Sequence, residues 1–441
     1  MSQVAEHIML IMFDTKANSN KFYEVTLTES GNIEAKFGRV GSGYQTSHKT
    51  GGKSAFDKLV ASKKKKGYKE AQVEAVSVDG KVSVKTNVID VALKQIKYQD
   101  DRSRALIEEI ARENIHNITS QTNIKYDTED GLFKTPLGIV RKEAVVEAEG
   151  ILDQIAGLLP EYGTSSGDRR QELEDTLFRL NEDYFMLIPN VVRNARDTYY
   201  LIFSEKNLEA QRGICKALFD TLELIEELKK RKENDAKPEI EREEEKVFDV
   251  EIGLMDDPAI LKKISSYYEE SKNAMHGNQI MNSRVSRVYN VKLGSQQQPF
   301  ADTAAELGNV HLLWHGTRIA NILSIMGKGL LMPSQSPGQK AGAMFGNGLY
   351  FANQSSKSLQ YSDGMYWAGG SGRRNKIYMF LASVVVGKDY CPNGPTGGSG
   401  RPPAGYDSFW AKAGRSGVRN DEIIVFKGGQ VRLDYLVEIE I

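Results

Sequence analysis

Cysteine is nearly absent from this chain, whose 441 residues include only Cys215 and Cys391. Two thiols cannot build a disulfide framework or supply four ligands to a structural zinc ion, so we expect an intracellular protein without metal. Long hydrophobic runs are also missing, and residues 1–13 have neither a basic stretch nor a cleavage pattern. We therefore expect no membrane span and no signal peptide.

What the chain does have is length and an uneven distribution of charge. At 441 residues it exceeds the usual size of one hydrophobic core, which predicts roughly two to four domains. The overall net charge is only −1, but residues 1–70 contain 12 Lys and Arg against 7 Asp and Glu, a local excess of +5. Residues 239–251 are instead dominated by Glu. This asymmetry indicates that an N-terminal domain meets a polyanion.

The N-terminal part has the hydrophobic period of a small α/β unit. Residues 22–40 alternate apolar and polar side chains around Ser30-Gly31-Asn32, which predicts a β-hairpin. A helix at about 54–66 and a strand at about 71–84 are expected to complete the unit. We place this first domain at residues 1–90.

In the middle of the chain, the spacing of apolar residues changes to that of α-helices. Apolar residues recur every three or four positions from about 101 to 231, which predicts an all-α bundle at 100–232. Three prolines are expected to punctuate it: Pro136, Pro160 and Pro189.

The last third, at 245–441, is rich in glycine and in strand patterns. The nearly continuous apolar run 377–386 predicts a strand covered on both faces. Gly-dense loops at 338–348, 369–372 and 394–405 surround it. Loops on a rigid sheet commonly carry binding chemistry, so we expect the site here.

Three residues of this last third lie in distinctive local sequences. His315 follows Leu-Leu-Trp and precedes Gly-Thr, Tyr350 ends Phe-Gly-Asn-Gly-Leu-Tyr, and Glu422 opens the run Ile-Ile-Val-Phe. Taken singly, each is more often a structural residue. In this order, with Ser358 and Tyr361 following Tyr350 by eight and eleven positions, they resemble the His-Tyr-Glu signature of the poly(ADP-ribose) polymerases.

The resemblance implies that the protein consumes NAD+ without a metal, releases nicotinamide and transfers ADP-ribose. Glu422 would bind the 2′-hydroxyl of the nicotinamide ribose and activate the acceptor, because a carboxylate complements the positive charge that develops there. Adjacent strand residues face opposite sides, so Asp421 and Glu422 cannot both face the site. Glu422, His315 and Tyr350 are thus the expected catalytic residues.

Further NAD+ contacts follow from the same resemblance. By the corresponding positions of family members, His315 would bind a ribose hydroxyl, and the Gly316 backbone and the Ser358 hydroxyl would bind the amide of nicotinamide. Tyr350 and Tyr361 would stack on the nicotinamide ring. Thr317 and Asn321 would contact the adenosine part. Two positions beside this pocket depart from many DNA-dependent members. Leu331 stands where they carry Arg, and Ala343 stands where they often carry Tyr.

The N-terminal sequence Phe37-Gly38-Arg39-Val40-Gly41 resembles the WGR domain of the same polymerases, with Phe37 in place of the tryptophan. In that family the domain binds DNA ends, so Phe37, Arg39, Lys63 and Lys64 are the expected DNA contacts. The middle bundle resembles the helical regulatory domain through Thr135-Pro136-Leu137-Gly138 and through the segment 184–189. In relatives it packs over the NAD+ pocket and loosens when DNA binds.

The resemblance predicts a multidomain α+β protein: a small α/β WGR domain, an all-α helical bundle, and a mixed, mainly antiparallel β-sheet ADP-ribosyltransferase domain. The predicted function is a DNA-strand-break-activated poly(ADP-ribose) polymerase of the DNA damage response, autoinhibited by its helices. Expected partners are DNA breaks, acceptor proteins including itself and an accessory factor, in the nucleus or the bacterial nucleoid. Two alternatives stay open: a mono-ADP-ribosyltransferase acting on protein or DNA ends, and a DNA-end-binding scaffold with a silent transferase domain.

Overall fold

The computed structural model describes all of the chain except residues 1–3, 15–18, 40–42, 71–87, 123, 128–131, 136–137, 190–200, 236–247, 333–343, 363–364, 366–374 and 398–399. The chain divides into two compact units, one formed by residues 1–86 with 117–222 and the other by 87–116 with 223–441. The three domain limits expected from the sequence remain a prediction. No helix among the described residues is long and apolar enough to cross a membrane.

The elements of the first half alternate a sheet, helices and short strands. In chain order they are β1 (Val4–Asp14), β2 (Ser19–Thr28), β3 (Asn32–Arg39), β4 (Tyr44–Thr50), α1 (Gly52–Lys64), β5 (Lys69–Glu70), α2 (Val88–Gln95), β6 (Lys97–Tyr98), α3 (Asp101–Gln121), β7 (Lys125–Asp127), β8 (Leu132–Thr135), β9 (Gly138–Ile139), α4 (Lys142–Thr164), α5 (Gly167–Leu187) and α6 (Glu205–Asp235).

The second half is mainly β. Its elements are β10 (Val250–Leu254), α7 (Pro258–Glu270), a 3-10 turn (Ala274–His276), α8 (Asn278–Asn282), β11 (Arg284–Leu293), α9 (Gly294–Leu307), β12 (Val310–Gly316), α10 (Ile319–Lys328), β13 (Leu349–Phe351), α11 (Ser355–Leu359), β14 (Lys376–Val385), β15 (Asp389–Tyr390), β16 (Ser408–Ala411), β17 (Glu422–Val425), a 3-10 turn (Gly428–Gln430) and β18 (Val431–Glu440).

The N-terminal sheet has the order β4-β3-β2-β1-β5. The predicted hairpin is confirmed as β2 and β3, in which Val25 lies opposite Ala35. Gly31 closes its turn with a φ of 80°, a conformation that suits glycine. Helix α1 covers the sheet with the buried Phe56. The strand expected at 71–84 lies outside the described residues.

The helical part differs from its prediction at two places. Pro160 does not interrupt the bundle, because it lies inside α4. A proline removes one backbone hydrogen bond at a cost of about 3 kcal/mol, and the buried face of α4 outweighs that cost. The segment 100–232 is also not all α, because a three-stranded sheet, β7-β8-β9, lies between α3 and α4. This sheet was missed because strands of two to four residues give no readable alternation. Pro136 and Leu137 lie outside the described residues, and Pro189 follows the end of α5 as expected.

Buried charges lie between α4 and α6. The side chains of Glu149 and Arg212 are each only 6% exposed and approach to 3.3 Å. Arg212 also pairs with Asp153 at 3.0 Å. Burial raises the pKa of Glu149 to about 7, against the attraction of Arg212.

This raised pKa predicts that the helices lose stability as pH rises. Folded Glu149 holds its proton up to about pH 7, whereas the unfolded carboxyl loses it near 4.5. The folded state therefore binds more protons between those values, and the free energy of unfolding falls by about 1–3 kcal/mol across the window. Glu149→Gln is expected to remove most of this loss, measured by hydrogen exchange of α4–α6 corrected for intrinsic rates.

The exposed Glu147 on the same helix provides a control. Glu147→Gln is expected to keep the wild-type dependence on pH. An unchanged pH dependence in Glu149→Gln would show that the buried carboxyl is not its source.

The C-terminal unit contains two sheets, with the orders β12-β14-β18-β11-β10-β6 and β13-β17-β16-β15. Pairing is antiparallel except between β10 and β6 and between β15 and β16. Strand β14 is buried almost throughout, which confirms the strand predicted at 377–386. The mixed, mainly antiparallel sheets confirm the predicted multidomain α+β class.

Candidate active site

The two C-terminal sheets meet where β12 ends and β13 begins. Trp314 and Ala352 exchange backbone hydrogen bonds of 2.9 and 3.0 Å. One residue further along β12, His315 Nδ1 lies 3.0 Å from the carbonyl oxygen of Tyr350. A carbonyl only accepts, so Nδ1 carries the proton and donates. The junction thus fixes both the orientation and the tautomer of the imidazole.

Tyr350 is held from its other end by the glycine-rich turn before β13. Its hydroxyl donates to the carbonyl of Gly346 at 2.9 Å and accepts from the Phe345 amide at 3.0 Å. Burial raises the pKa of this phenol far above its usual value, with a further contribution from the Glu422 carboxylate. The ring therefore stays neutral and rigid, as a stacking surface requires.

Strand pairing brings Glu422 to the same junction. Strand β17 lies antiparallel to β13, with Ile424 opposite Tyr350 and Ile423 opposite Phe351. The Glu422 side chain is 12% exposed and forms an ion pair with Lys357. Asp421 turns the other way, where it accepts from Trp410 Nε1 and from the Ala413 amide, both at 3.0 Å. The two acids therefore point to opposite sides of the chain, as alternation along a strand predicts.

Lys357 links the acid to the remaining tyrosine. Its Nζ lies 3.5 Å from the Tyr361 hydroxyl and 5.3 Å from the centre of that ring. Burial opposes the ammonium charge, but Tyr361 and Glu422 outweigh it and raise the pKa of Lys357. Tyr361 itself is 43% exposed. The Glu422 carboxylate is therefore held by the ammonium group of Lys357, beside the partly exposed ring of Tyr361.

Helix α11 sits directly on the end of β12. A Cβ on Gly316 would come within 1.8 Å of the Ser358 carbonyl oxygen, so only glycine fits. The Ser358 hydroxyl is buried and donates to the Trp314 carbonyl at 3.0 Å. Ser358 thus anchors α11 in this structure, and its expected bond to a carboxamide remains a prediction.

A second polar patch is formed by Thr317, which follows β12, and Asn321, in α10. Asn321 Nδ2 lies 3.4 Å from the Thr317 hydroxyl. The Asn321 Oδ1 atom is buried and finds no hydrogen-bond partner among the described residues. An unpaired buried oxygen costs about 1–3 kcal/mol, which a ligand donor such as a ribose hydroxyl or an amino group would offset. The patch therefore fits the expected adenosine contact.

The structure gathers His315, Tyr350, Tyr361 and Glu422 around one junction, together with Gly316 and Ser358. Sequence reasoning missed Lys357 as a member of this group. The sequence signal for Lys357 is its i, i+4 spacing to Tyr361, which lies just after α11 and receives the cation beside its ring. Leu331 follows α10 in the described chain, whereas Ala343 lies outside the described residues.

The expected DNA contacts lie on the N-terminal sheet and at the end of α1. Phe37 stacks on Tyr23 with ring centres 5.1 Å apart. The Lys63 ammonium lies 3.6 Å from the centre of the Tyr23 ring, and burial lowers the pKa of this lysine. Lys64 pairs with Glu70 at 3.0 Å, and Arg39 ends β3. Phe37 and Lys63 thus already interact within the chain, and their binding to DNA remains a prediction.

Two protein-family models match the chain: the WGR domain at residues 6–75 and the poly(ADP-ribose) polymerase catalytic domain at residues 261–441. Human "Protein mono-ADP-ribosyltransferase PARP3" is 25% identical over 428 residues, covering 90% of this chain and 74% of the human one. "Poly [ADP-ribose] polymerase 2-B" of Oryza sativa subsp. japonica is 25% identical over 352 residues, covering 78% of this chain and 53% of its own length.

Proposed function

The chain belongs to the poly(ADP-ribose) polymerase family and is an NAD+ ADP-ribosyltransferase, and on this premise we propose that DNA strand breaks activate it to modify proteins. The observation that carries the proposal is the placement of Glu422. Its side chain is 12% exposed and paired with Lys357, and its charge adds to the effect of burial in raising the pKa of the nearby Tyr350 phenol. An isolated structural glutamate would not need this setting.

The proposed division of labour follows from the geometry. Tyr350, rigid and neutral, and the more exposed Tyr361 stack on the nicotinamide ring, an interaction worth about 1 kcal/mol for each ring. His315, with its proton held on Nδ1, turns its other nitrogen toward a ribose hydroxyl. Glu422 stabilises the positive charge that develops on the ribose as nicotinamide leaves, and accepts the proton of the incoming hydroxyl. Catalysis then requires no metal.

Activation by DNA is proposed from the N-terminal unit. It contains a WGR domain and a local excess of positive charge, and Lys64 and Arg39 lie on adjoining elements of that domain. Phosphate contacts of this kind bind DNA in a salt-dependent manner. By likeness to the family, the helical region at 100–232 is proposed to restrain the transferase until DNA binds. The protein then works where DNA lies, in a nucleus or a nucleoid.

The length of the product separates two candidate activities. The human relative is named a mono-ADP-ribosyltransferase, and the rice relative a poly(ADP-ribose) polymerase. Glu422 provides the carboxylate that chain elongation needs, so we propose polymer formation on acceptor proteins, including the chain itself. Transfer of a single unit to a protein or a DNA end is the second candidate. A silent transferase is disfavoured because His315, Tyr350 and Glu422 lie around one junction of strands.

The experiment that tests the proposal measures nicotinamide release by the full chain with labelled NAD+. The reaction is run without DNA and with intact circles, nicked duplexes, blunt ends and 5′-phosphorylated ends. We expect at least about tenfold stimulation by broken DNA over intact circles. Electrophoresis of the labelled products then distinguishes polymer from single units. Equal turnover with intact and broken DNA would refute activation by breaks, and no release under any condition would favour the scaffold.

A further inference from the structure

A network of hydrogen-bonded polar side chains lies next to the Lys357–Glu422 pair. Its centre is His276, in the 3-10 turn between α7 and α8. One ring nitrogen, Nδ1, lies 2.9 Å from the Ser356 hydroxyl. The other, Nε2, lies 3.1 Å from Asn420 Nδ2. Both nitrogens of a half-buried imidazole are therefore held by neighbours.

A backbone amide determines which atoms of this hydrogen-bond network donate and which accept. The Met275 amide donates to Asn273 Oδ1 at 3.1 Å, which leaves Asn273 Nδ2 to donate to Asn420 Oδ1 at 3.3 Å. Asn420 must then present its own NH2 group to His276 Nε2, which accepts. The proton of the neutral ring is accordingly on Nδ1 and is donated to Ser356.

The two ends of this hydrogen-bond network adjoin, in sequence, the two residues of the Lys357–Glu422 ion pair. Ser356 precedes Lys357 on α11, and its hydroxyl also accepts from the Asn273 backbone amide at 2.7 Å. Asn420 lies two residues before Glu422, at the entrance to β17. The imidazole thus bridges the helix that presents the lysine and the segment that presents the acid.

We infer that His276, held by Asn273, Ser356 and Asn420, is a positioning residue that keeps the Lys357 ammonium against the Glu422 carboxylate. The inference rests on the proposed function, because it concerns the residue assigned to the reacting ribose. A displacement of about 1 Å at such a carboxylate is enough to cost a large factor in rate. His276 acts through its neighbours in this assignment and forms no bond to substrate.

The surroundings of the ring favour its neutral form. Burial and the nearby Lys357 ammonium lower the pKa of His276 from its usual value near 6.5. Helix α8 carries no charged residue, and Asp421 beside Asn420 is turned toward Trp410. Lys272, at the end of α7, donates to the carbonyls of Met281 and Ser283.

Protonation would break the bridge. A second N–H on His276 Nε2 would face the NH2 group of Asn420, donor against donor. Because the folded-state pKa is lowered, the neutral ring and its bridge persist below pH 6.5 and are lost as pH falls through that lowered value. Turnover of the active enzyme is then expected to fall on the acid side over the same range.

Histidine-selective and lysine-selective ¹⁵N NMR of the full chain tests the inference without any need for turnover. We expect wild-type His276 to show the Nδ1–H tautomer and to titrate below pH 6.5, and the Lys357 ammonium to give a slowly exchanging signal. His276→Gln is expected to lose that signal and to lower kcat for nicotinamide release about tenfold, with KM for NAD+ within about twofold. Asn420→Asp offers the protonated Nε2 an acceptor, so the bridge is expected to survive protonation and the fall in turnover on the acid side to disappear in this variant.

The control is His311→Gln, which changes a histidine of the same unit that contacts Asn309 and Trp410 instead. It is expected to leave three quantities unchanged: the Lys357 signal, kcat, and the pH at which turnover falls on the acid side. An Nε2–H tautomer, or an intact Lys357 signal in His276→Gln, overturns the inference. Wild-type protein with the expected NMR spectra and no nicotinamide release under any DNA condition counts against the proposed function alone, since the two readouts are separate.

Discussion

Replacing Glu422 by Gln is expected to lower kcat for nicotinamide release by about 10²–10³-fold while NAD+ affinity changes by less than about threefold. The amide keeps the size of the side chain but loses the charge that stabilises the ribose cation and receives the acceptor proton. It also leaves the Lys357 ammonium without its buried partner. Single-turnover release and equilibrium NAD+ binding measure the two quantities separately, and the labelled product is expected to contain no polymer.

Asp421→Asn provides the matched control, because it changes the neighbouring acid, which faces Trp410 and the Ala413 amide. We expect its kcat to stay within about threefold of wild type, since it touches no part of the site. Polymer of normal yield from Glu422→Gln would remove this glutamate from the reaction. A loss in Asp421→Asn as large as in Glu422→Gln would instead assign the effect to the loop before β17.

Reversing two charges of the N-terminal unit is expected to abolish stimulation by broken DNA at physiological salt. Arg39→Glu combined with Lys64→Glu replaces two cations of the WGR domain with anions. Each lost phosphate contact removes about 0.9 from the slope of affinity against salt on a double-logarithmic plot, so the slope is expected to fall by about two. Turnover without DNA is expected to remain at its wild-type level. Fluorescence anisotropy with a blunt-ended duplex measures the affinity.

Lys262→Glu with Lys263→Glu makes the same change of net charge on the exposed face of α7, in the C-terminal unit. This control is expected to lose less than about twofold in DNA affinity, because long-range repulsion is screened beyond about 8 Å. Equal losses in both double variants would attribute the effect to net charge rather than to the two WGR residues. Full stimulation of Arg39→Glu/Lys64→Glu would assign DNA binding to another surface.

Much of the site was predictable from sequence because it depends on local patterns. The hairpin around Gly31, the buried strand β14 and the opposite orientations of Asp421 and Glu422 all follow from alternation of side chains along a strand. The set of His315, Tyr350 and Glu422 was readable as a signature, since each member lies in a distinctive local sequence.

What escaped prediction depends on contacts between distant segments. Lys357 lies 65 positions before Glu422 in the sequence, and only folding places the two side chains together. His276 met Asn420 across 144 positions, and no periodic pattern carries that information. Pro160 shows the reverse case, in which a reliable local signal was overridden by the packing of α4.

The short strand β6 has a practical consequence for anyone who isolates the transferase. It supplies the outermost strand of the six-stranded sheet by pairing with β10, and Asp100 accepts from the Leu254 amide at 2.9 Å. A fragment that starts at residue 245 would therefore expose the unpaired edge of β10, through which copies of the fragment could associate into oligomers. Including residues 87–116, as a second chain or a fused segment, would restore the strand that covers this edge.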